Sequence, residues 1–346
     1  MAKAIKHPKD AERKRFAFRQ TFSLPILTMK TKSKEILKKQ HYALIGKHSG
    51  IQICRWTKKS LLDEGNCYKE KFYGIESHRC CQMTPCFLCE NQCLHCWRAV
   101  ELNSGSKLEN ADDAKFIIDN CILAQRKMLS GFGGNKKINK NKFKEAQNPK
   151  QFAISLSGEP TIYPKLAELI LELRKRKITS FLVTNGLLPD RIIELKKKNA
   201  LPTQIYVSLN YPNKRIFRKI TRNRKKNAWK NLMKTLELMK NLKTRTVVRI
   251  SLICDLNMDD EMIKEYAKLI KKANPMFIEI KGYMSVGYAR ERLGYERMPI
   301  HSEVKSFSDK LLKFLPKYKF LDEKIESRVV LLGKSKKDMK IKNGEI

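Results

Sequence analysis

The 346 residues hold 73 Lys+Arg against 35 Asp+Glu, a formal net charge of +38. That surplus exceeds what solubility requires and points to a polyanionic partner, nucleic acid first; a thermophile-type surface would gain Glu together with Lys, and this chain does not. No apolar run approaches the length of a membrane span and no signal peptide or lipidation motif is present, which argues against a membrane protein and sets the expectation of a soluble, cytoplasmic one.

The length suits one α/β barrel with extensions. Residues 1–40 read as a basic arm, disordered or RNA-contacting, with a short helix near 32–40. Residues 41–81 make a compact segment in which Cys54, Cys67 and Cys80 are spaced with twelve residues between each. Equal spacing just ahead of a cysteine-rich loop suggests a metal centre, with Cys81 competing for the third place. Ten cysteines in a chain of this kind are metal or cluster ligands before they are disulfides, and eight of them fall between Cys54 and Cys96. From 82 to 333, strand-like and helix-like runs alternate: helix 112–129, strand 152–157, helix 164–175, strand 180–184, helix 190–198, strand 204–210, helix 228–241, strand 245–253, helix 259–273, strand 276–282 and helix 303–314. With a first strand near 72–77 the pattern counts about six βα units, a partial (β/α)6 TIM-like barrel of the α/β class behind an N-terminal cysteine-containing extension. The Gly- and Lys-rich stretch 130–148 reads as a long mobile loop. An apolar run at 329–332 adds a last strand, and 334–346 reads as a disordered basic tail.

Strand alternation locates a lumen. Phe152, Ile154 and Leu156 share one face and Ala153, Ser155 and Ser157 the other; Tyr206, Ser208 and Asn210, then Val247, Arg249 and Ser251, then Glu279 and Lys281 continue the more polar face. Crossover helices must cover the apolar faces, so the polar ones line the interior.

The chemistry concentrates in the stretch Cys86-Phe-Leu-Cys89-Glu-Asn-Gln-Cys93-Leu-His-Cys96-Trp97. Cys89, Cys93 and Cys96 have the spacing C-x3-C-x2-C, which holds three corners of a cubane iron–sulfur cluster and leaves the fourth iron open. Read instead as zinc pairs, Cys86/Cys89 and Cys93/Cys96, the halves lie only three residues apart, where a zinc ribbon or finger needs a dozen or more. The order also differs from that of a bacterial ferredoxin. The three-cysteine loop resembles the signature of the radical S-adenosylmethionine (SAM) enzymes. That resemblance implies a [4Fe-4S] cluster whose open iron takes the amino and carboxylate groups of SAM, and whose electron cleaves SAM to methionine and a 5′-deoxyadenosyl radical. It also implies SAM contacts from the Ser157-Gly158-Glu159 corner after the 152–157 strand, from Asn185, from Ser208 and Asn210, from Arg249 to the methionine carboxylate, and from His95 at the adenine.

Cys54, Cys67 and Cys80, the run Cys67-Tyr68-Lys69, the 89–98 loop and the stretches 245–252 and 277–287 resemble the archaeal tRNA 4-demethylwyosine synthases over roughly residues 40 to 335. This likeness implies a second [4Fe-4S] cluster on Cys54, Cys67 and Cys80, and a Schiff base between Lys69 and pyruvate. The implied substrate is N1-methylguanosine beside the anticodon of tRNA-Phe, on which the third ring of the tricyclic base is built. Because no flavodoxin-like domain precedes residue 40, the reductant is expected to be a separate protein such as flavodoxin or ferredoxin. Lys214, Arg215, Arg218, Lys219, Arg222 and Arg224 follow the fourth strand at the barrel mouth, where they suit phosphate contacts, with Phe217, Trp229 and Tyr283 as stackers for an extruded base. Two rivals remain at this stage: another radical SAM RNA-modifying enzyme, a methylthio- or methyltransferase, and a non-catalytic zinc-dependent RNA-binding protein.

Overall fold

The computed structural model describes residues 31–100, 108 and 110–345; most of the expected basic arm lies outside them. The described residues open with helix α1 (Thr31–Lys39) and the short strands β1 (Ala43–Ile45) and β2 (Ser49–Ile51), followed by helices α2 (Arg55–Leu61) and α3 (Tyr68–Tyr73). The barrel then begins at β3 (Cys80–Thr84) and continues through α4 (Ala114–Leu129), α5 (Lys140–Ala146), β4 (Gln151–Ile154), α6 (Leu166–Lys175), β5 (Thr179–Thr184), α7 (Pro189–Lys197) and β6 (Gln204–Ser208). Next come α8 (Lys214–Thr221), α9 (Ala228–Met239), β7 (Arg245–Leu252), α10 (Asp260–Ala273), β8 (Phe277–Gly282), α11 (Tyr288–Leu293), α12 (His301–Leu312), β9 (Lys319–Lys324) and β10 (Val329–Gly333).

The strands form one ten-stranded sheet in the order β1-β2-β3-β4-β5-β6-β7-β8-β10-β9. Neighbours from β3 to β8 are parallel, and β2 on one flank and β10 on the other join antiparallel. Six successive parallel strands with helices between them give the expected open barrel. Val207, Val248, Ile250, Ile278 and Ile280 pack outward against α9, α10 and α12, and Phe152, Ile154, Leu182 and Ile205 pack against α4 and α6. No helix among the described residues is long and apolar enough to cross a membrane.

Four expectations fail here. Residues 72–77 are not a strand: Tyr68, Phe72 and Tyr73 place their rings on one face of α3, and the first barrel strand starts at Cys80. The 130–148 stretch contains α5, whose N-cap Asn139 accepts a hydrogen bond from the Lys142 amide at 3.1 Å. The tail after 334 is ordered as two short 3-10 turns, and Met339 is buried with Tyr68, Phe72 and Tyr73. The interior is also not polar throughout. Below the site, α3 enters the barrel and its rings join Phe181, Tyr206, Val247, Phe277, Val329 and Leu331 in an apolar floor.

One carboxylate is embedded in this floor. Glu279, fully buried, accepts hydrogen bonds from Tyr73 Oη at 2.7 Å and Tyr68 Oη at 3.1 Å and pairs with Arg249 at 2.9 Å. Burial pushes its pKa up, and Arg249 and Tyr73 pull it further down, to a net position below the ordinary carboxylate value. The unfolded chain, with an ordinary Glu pKa of about 4.3, therefore takes up this proton before the folded one. The stabilisation is complete above that pH and is lost as pH falls through the folded value. Denaturant titrations of the metal-free protein should show unfolding free energy declining below about pH 4.3, and Glu279→Gln should flatten that decline. At pH 7 the same variant should be less stable by about 3 kcal/mol, because it leaves Arg249 buried without a counter-charge.

Candidate active site

The loop from Pro85 to Val100 leaves the C-terminal end of β3 and is gripped from several sides. On the β4 side, Thr84 Oγ1 donates to the Cys86 carbonyl at 2.9 Å and to the Ser157 carbonyl, and the Glu159 amide donates to the Leu88 carbonyl at 2.6 Å. Gly158 has φ of 76°, and a Cβ there would stand 1.9 Å from the Cys86 carbonyl oxygen. At the end of α8, the Gln92 and Leu94 amides donate to the Thr221 and Ile220 carbonyls, both at 2.9 Å, so the loop caps carbonyls that a helix terminus leaves unsatisfied. Asn223 Nδ2 adds a 2.6 Å bond to Asn91 Oδ1. From α11, Arg292 donates to the Cys96 and Arg98 carbonyls at 2.6 and 2.8 Å. Gly287, at φ of 53°, lets the Tyr288 amide reach the Trp97 carbonyl at 3.1 Å.

Most of the predicted SAM residues converge on this loop. The Glu159 carboxylate accepts from Thr161 Oγ1 and Thr184 Oγ1, both at 2.6 Å, and from the Asn185 amide at 2.7 Å. Burial and the neighbouring Glu90 raise its pKa to about 7. Asn185 Nδ2 lies 3.8 Å from Cys89 Sγ and 3.3 Å from Glu90. Asn210 and His95 are joined at 3.1 Å, and the other ring nitrogen of His95 is buried without a partner. Ser208 stands opposite Arg249 in the β6–β7 register. Arg249 itself turns to Glu279 and to Tyr68 Oη at 3.1 Å. Sequence reasoning missed Arg98, which is buried with Nη1 donating to the Phe87 carbonyl at 2.6 Å. Burial weakens its charge, and the Cys96 and Cys89 sulfurs more than restore it.

The second cysteine set meets in a cavity of about 240 Å³ lined by Cys54, Cys67, Cys80, Lys69, Arg249 and Lys281, among others. Adjacent strand residues point to opposite sides: Cys80 faces the cavity, and Cys81 is packed in the outer layer with Cys121. Lys69 is 8 % exposed, with its Nζ 5.3 Å from the ring centres of both Phe181 and Tyr206. Burial and then Arg249 depress its pKa. Lys281, also unforeseen beyond its place on the lumen face, lies 4.6 Å from the Tyr68 ring, and burial and Arg249 lower its pKa to about 8. Among the described residues, the three ligand atoms that close to within 4.8 Å belong to Glu76, His78 and Glu145.

The basic residues form an exposed face: Lys214, Arg215, Arg218 and Lys219 point outward from α8, and Ile216, Phe217 and Ile220 point inward. Arg222 and Arg224 are exposed beyond its end, Arg222 donating to the Gln92 carbonyl of the cysteine loop at 2.6 Å. The expected stackers are core residues. Phe217 and Tyr283 are buried, Tyr283 donating to the Ala289 carbonyl at 2.9 Å, and the half-buried Trp229 packs on Phe217 and Tyr211.

An open parallel barrel that presents a three-cysteine loop at the C-terminal end of its first strand defines a radical SAM enzyme, and the model described as radical SAM superfamily matches residues 83–270. The model described as wyosine base formation matches 272–334. The S-adenosyl-L-methionine-dependent tRNA 4-demethylwyosine synthase of Pyrococcus abyssi is 48% identical over 299 residues, 86% of this chain and 87% of its own. A solved structure of TYW1 with a lysine-pyruvate adduct bound aligns with a TM-score of 0.80 at 36% identity, over 92% of this chain and 99% of that one. A crystal structure of archaeal TYW1 aligns at 0.73 and 34%, over 90% and 98%. The chain belongs to the SAM-dependent tRNA 4-demethylwyosine synthase family. It is a tRNA-modifying lyase of wyosine biosynthesis that uses SAM and a [4Fe-4S] cluster.

The tightest contact in the loop yields a direct test. A side chain at position 158 meets both the left-handed backbone, which costs about 1–2 kcal/mol, and the Cys86 carbonyl oxygen at 1.9 Å. Gly158→Ala should therefore shift the loop, lowering both iron retention and 5′-deoxyadenosine release in an anaerobic assay, while the circular dichroism of the barrel stays unchanged.

Proposed function

We propose that Cys89, Cys93 and Cys96 hold the SAM-binding [4Fe-4S] cluster and that Cys54, Cys67 and Cys80 hold a second one, in an enzyme that joins pyruvate to N1-methylguanosine beside the anticodon of tRNA-Phe. The donor sets suit that assignment. Burial pushes the Cys67 thiol up to about 11 and those of Cys80 and Cys89 to about 12, so for these three a bound metal must supply the charge that ionises them. Arg98 supplies a cation beside the first trio, the buried His95 Nδ1 has no partner within the protein, and Gly158 lets the β4 corner close onto the Cys86 carbonyl of the loop. Glu159, Asn185, Ser208, Asn210 and His95 are the proposed SAM contacts. Arg249 is reassigned to the second site.

When bound, the SAM cluster supplies the radical that removes a hydrogen atom from an N-methyl group, which has no acidic proton for a side chain to take. The protein's own chemistry lies at Lys69. An amine whose pKa is lowered by burial and by Arg249 is neutral more of the time and attacks a ketoacid carbonyl, losing water to form an iminium. Arg249 and Lys281 line the same cavity, where the Lys281 amine and the Nη1 of Arg249, whose Nε and Nη2 are engaged by Glu279 and Tyr68, suit the ketoacid carboxylate. The methyl carbon, short of one hydrogen atom, would then bond to the carbonyl-derived carbon of the pyruvate held on Lys69; the carboxyl group would leave as carbon dioxide, giving back the one electron spent on SAM cleavage, and the exocyclic amine of the guanine would displace Lys69 as the ring closes. Electrons come from a separate donor such as flavodoxin or ferredoxin.

The observation that carries this proposal is the buried amine of Lys69 inside the Cys54/Cys67/Cys80 cavity; the lysine-pyruvate adduct bound in the similar TYW1 structure supports it. Anaerobic protein incubated with pyruvate and cyanoborohydride should gain one reduced adduct on Lys69, and Lys69→Met should gain none and form no modified tRNA. Cys67→Ala should halve the iron from about eight to about four per chain while still releasing 5′-deoxyadenosine, and Cys89→Ala should release none. If labelled pyruvate carbon fails to enter the tRNA, the ketoacid assignment is wrong.

RNA would dock on the outward face of α8, whose Lys214, Arg215, Arg218 and Lys219 make no ion pair with a described residue and which ends on the SAM loop. Binding should weaken steeply with salt, and Lys214→Ala with Arg218→Ala should flatten the log–log slope by about 2, since each phosphate contact contributes about 0.9.

A further inference from the structure

Helix α3 has six residues and presents both ends of the second site: Cys67 is its N-cap and Lys69 its second residue. A helix this short does not hold itself together in water and takes its stability from tertiary contacts. Its N-terminal end is tied by the Cys67 amide to Ser77 Oγ at 2.8 Å, and its first and last residues, Tyr68 and Tyr73, are tied through their hydroxyls to Glu279. Its C-terminal end is held by the segment that follows β10. Lys340 Nζ donates to the Glu70 and Lys71 carbonyls at 3.2 and 2.6 Å, and the Ile341 amide donates to the Tyr73 carbonyl at 3.0 Å. The Lys71 and Tyr73 carbonyls are among those a helix end leaves open, the Glu70 carbonyl also accepts from the Gly74 amide at 3.0 Å, and a cation at this end is favoured by the helix dipole.

The segment is itself anchored to the barrel. Arg245, at the start of β7 and 2 % exposed, donates to the Asp338 and Met339 carbonyls at 2.8 and 2.7 Å and pairs with Glu345 at 3.2 Å. Met339 is buried against the rings of α3, and Ile341 packs beside it. The helix that carries Lys69 is thus gripped between the floor carboxylate on one side and residues 336–345 on the other.

We infer that the segment 336–345 is a positioning element for the second site, with Lys340 its direct handle: it fixes the height and rotation of α3 and so where the Lys69 amine stands in the cavity. The inference rests on the assignment of Lys69 as the pyruvate-binding amine. No residue of the segment lines the cavity, so its effect reaches the amine indirectly, through α3 and not by contact.

The test uses the full chain, a form ending at Ser335, Lys340→Ala, and Lys340→Arg as the conservative replacement, all reconstituted anaerobically. Pyruvate trapping on Lys69 by cyanoborohydride is followed by peptide mass, beside iron content, thermal melting and 5′-deoxyadenosine release. Because misplacing a reacting group by about 1 Å costs on the order of 10²-fold, the shortened chain should trap pyruvate at least about tenfold more slowly. Lys340→Ala should slow trapping less, Lys340→Arg should restore it, and 5′-deoxyadenosine release should hold. Wild-type trapping rates in both the shortened chain and Lys340→Ala would overturn the inference and leave the Lys69 assignment standing. Failure of the full chain to trap overturns that assignment first and the inference with it. Should the shortened chain fail to fold, Lys340→Ala decides; if Lys340→Ala loses 5′-deoxyadenosine release in proportion to trapping, the segment supports the barrel as a whole and the positioning role is overturned.

Discussion

The carboxylate of Glu279 is the constraint around which the interior is arranged. A fully buried carboxylate is costly unless every lone pair finds a donor, and here two tyrosines of α3 and the guanidinium of Arg249 supply them. Those bonds reach across three elements, β7, β8 and the inserted helix. The consequence is geometric. Because α3 must deliver Tyr68 and Tyr73 to one point on β8, the residue between them in the first turn, Lys69, is turned toward the rings of Phe181 and Tyr206 and into the cavity with Cys67.

The two cysteine sites are built by different means. The Cys89/Cys93/Cys96 loop is long, and its backbone groups are satisfied by neighbours: the β4 corner, the end of α8 and the arginine of α11. Its shape therefore depends on close backbone approach, which is why glycines occupy positions 158 and 287. The Cys54/Cys67/Cys80 site gathers three single residues from two helix N-caps and a strand start, and its cohesion comes from side chains in the floor. Loss of one backbone contact should disturb the first site, whereas the second responds to anything that moves α3.

Much of the barrel is legible in the sequence because each unit is long enough to show its period. The helices α4, α9 and α10 and the strands β5 to β8 fall within a few residues of expectation. Alternation also puts Arg249, Glu279 and Lys281 on the lumen face. It cannot say which partner each will meet, since Arg249 and Glu279 are thirty residues apart in sequence and their pairing follows from strand register alone. The errors sit where elements are short. Over 72–77 the apolar content of Phe72, Tyr73 and Ile75 reads equally as strand or helix, and a six-residue helix shows too little periodicity to decide. With β3 placed at Cys80, alternation alone separates Cys80 from Cys81. The tail reads as unstructured for its lysines; the two residues that dock it, Met339 and Ile341, are too few to register as a pattern.

Electrostatics link the floor to the proposed chemistry. Lys69, Lys281 and Arg249 line one cavity, and Glu279, the carboxylate bonded to Arg249, is already committed to the floor. The excess positive charge has two effects. It favours anions such as cysteine sulfur, and together with burial it disfavours a proton on Lys69, so in the proposed reaction the field that would draw a ketoacid carboxylate also frees the amine to attack it. Arg249 is the residue through which both effects pass: it lowers the pKa of Lys69 and of Lys281, and its own charge is secured by Glu279. A lysine in its place would itself shed its proton when buried, whereas a guanidinium stays charged. That asymmetry accounts for an arginine at 249 beside two lysines whose charges are negotiable.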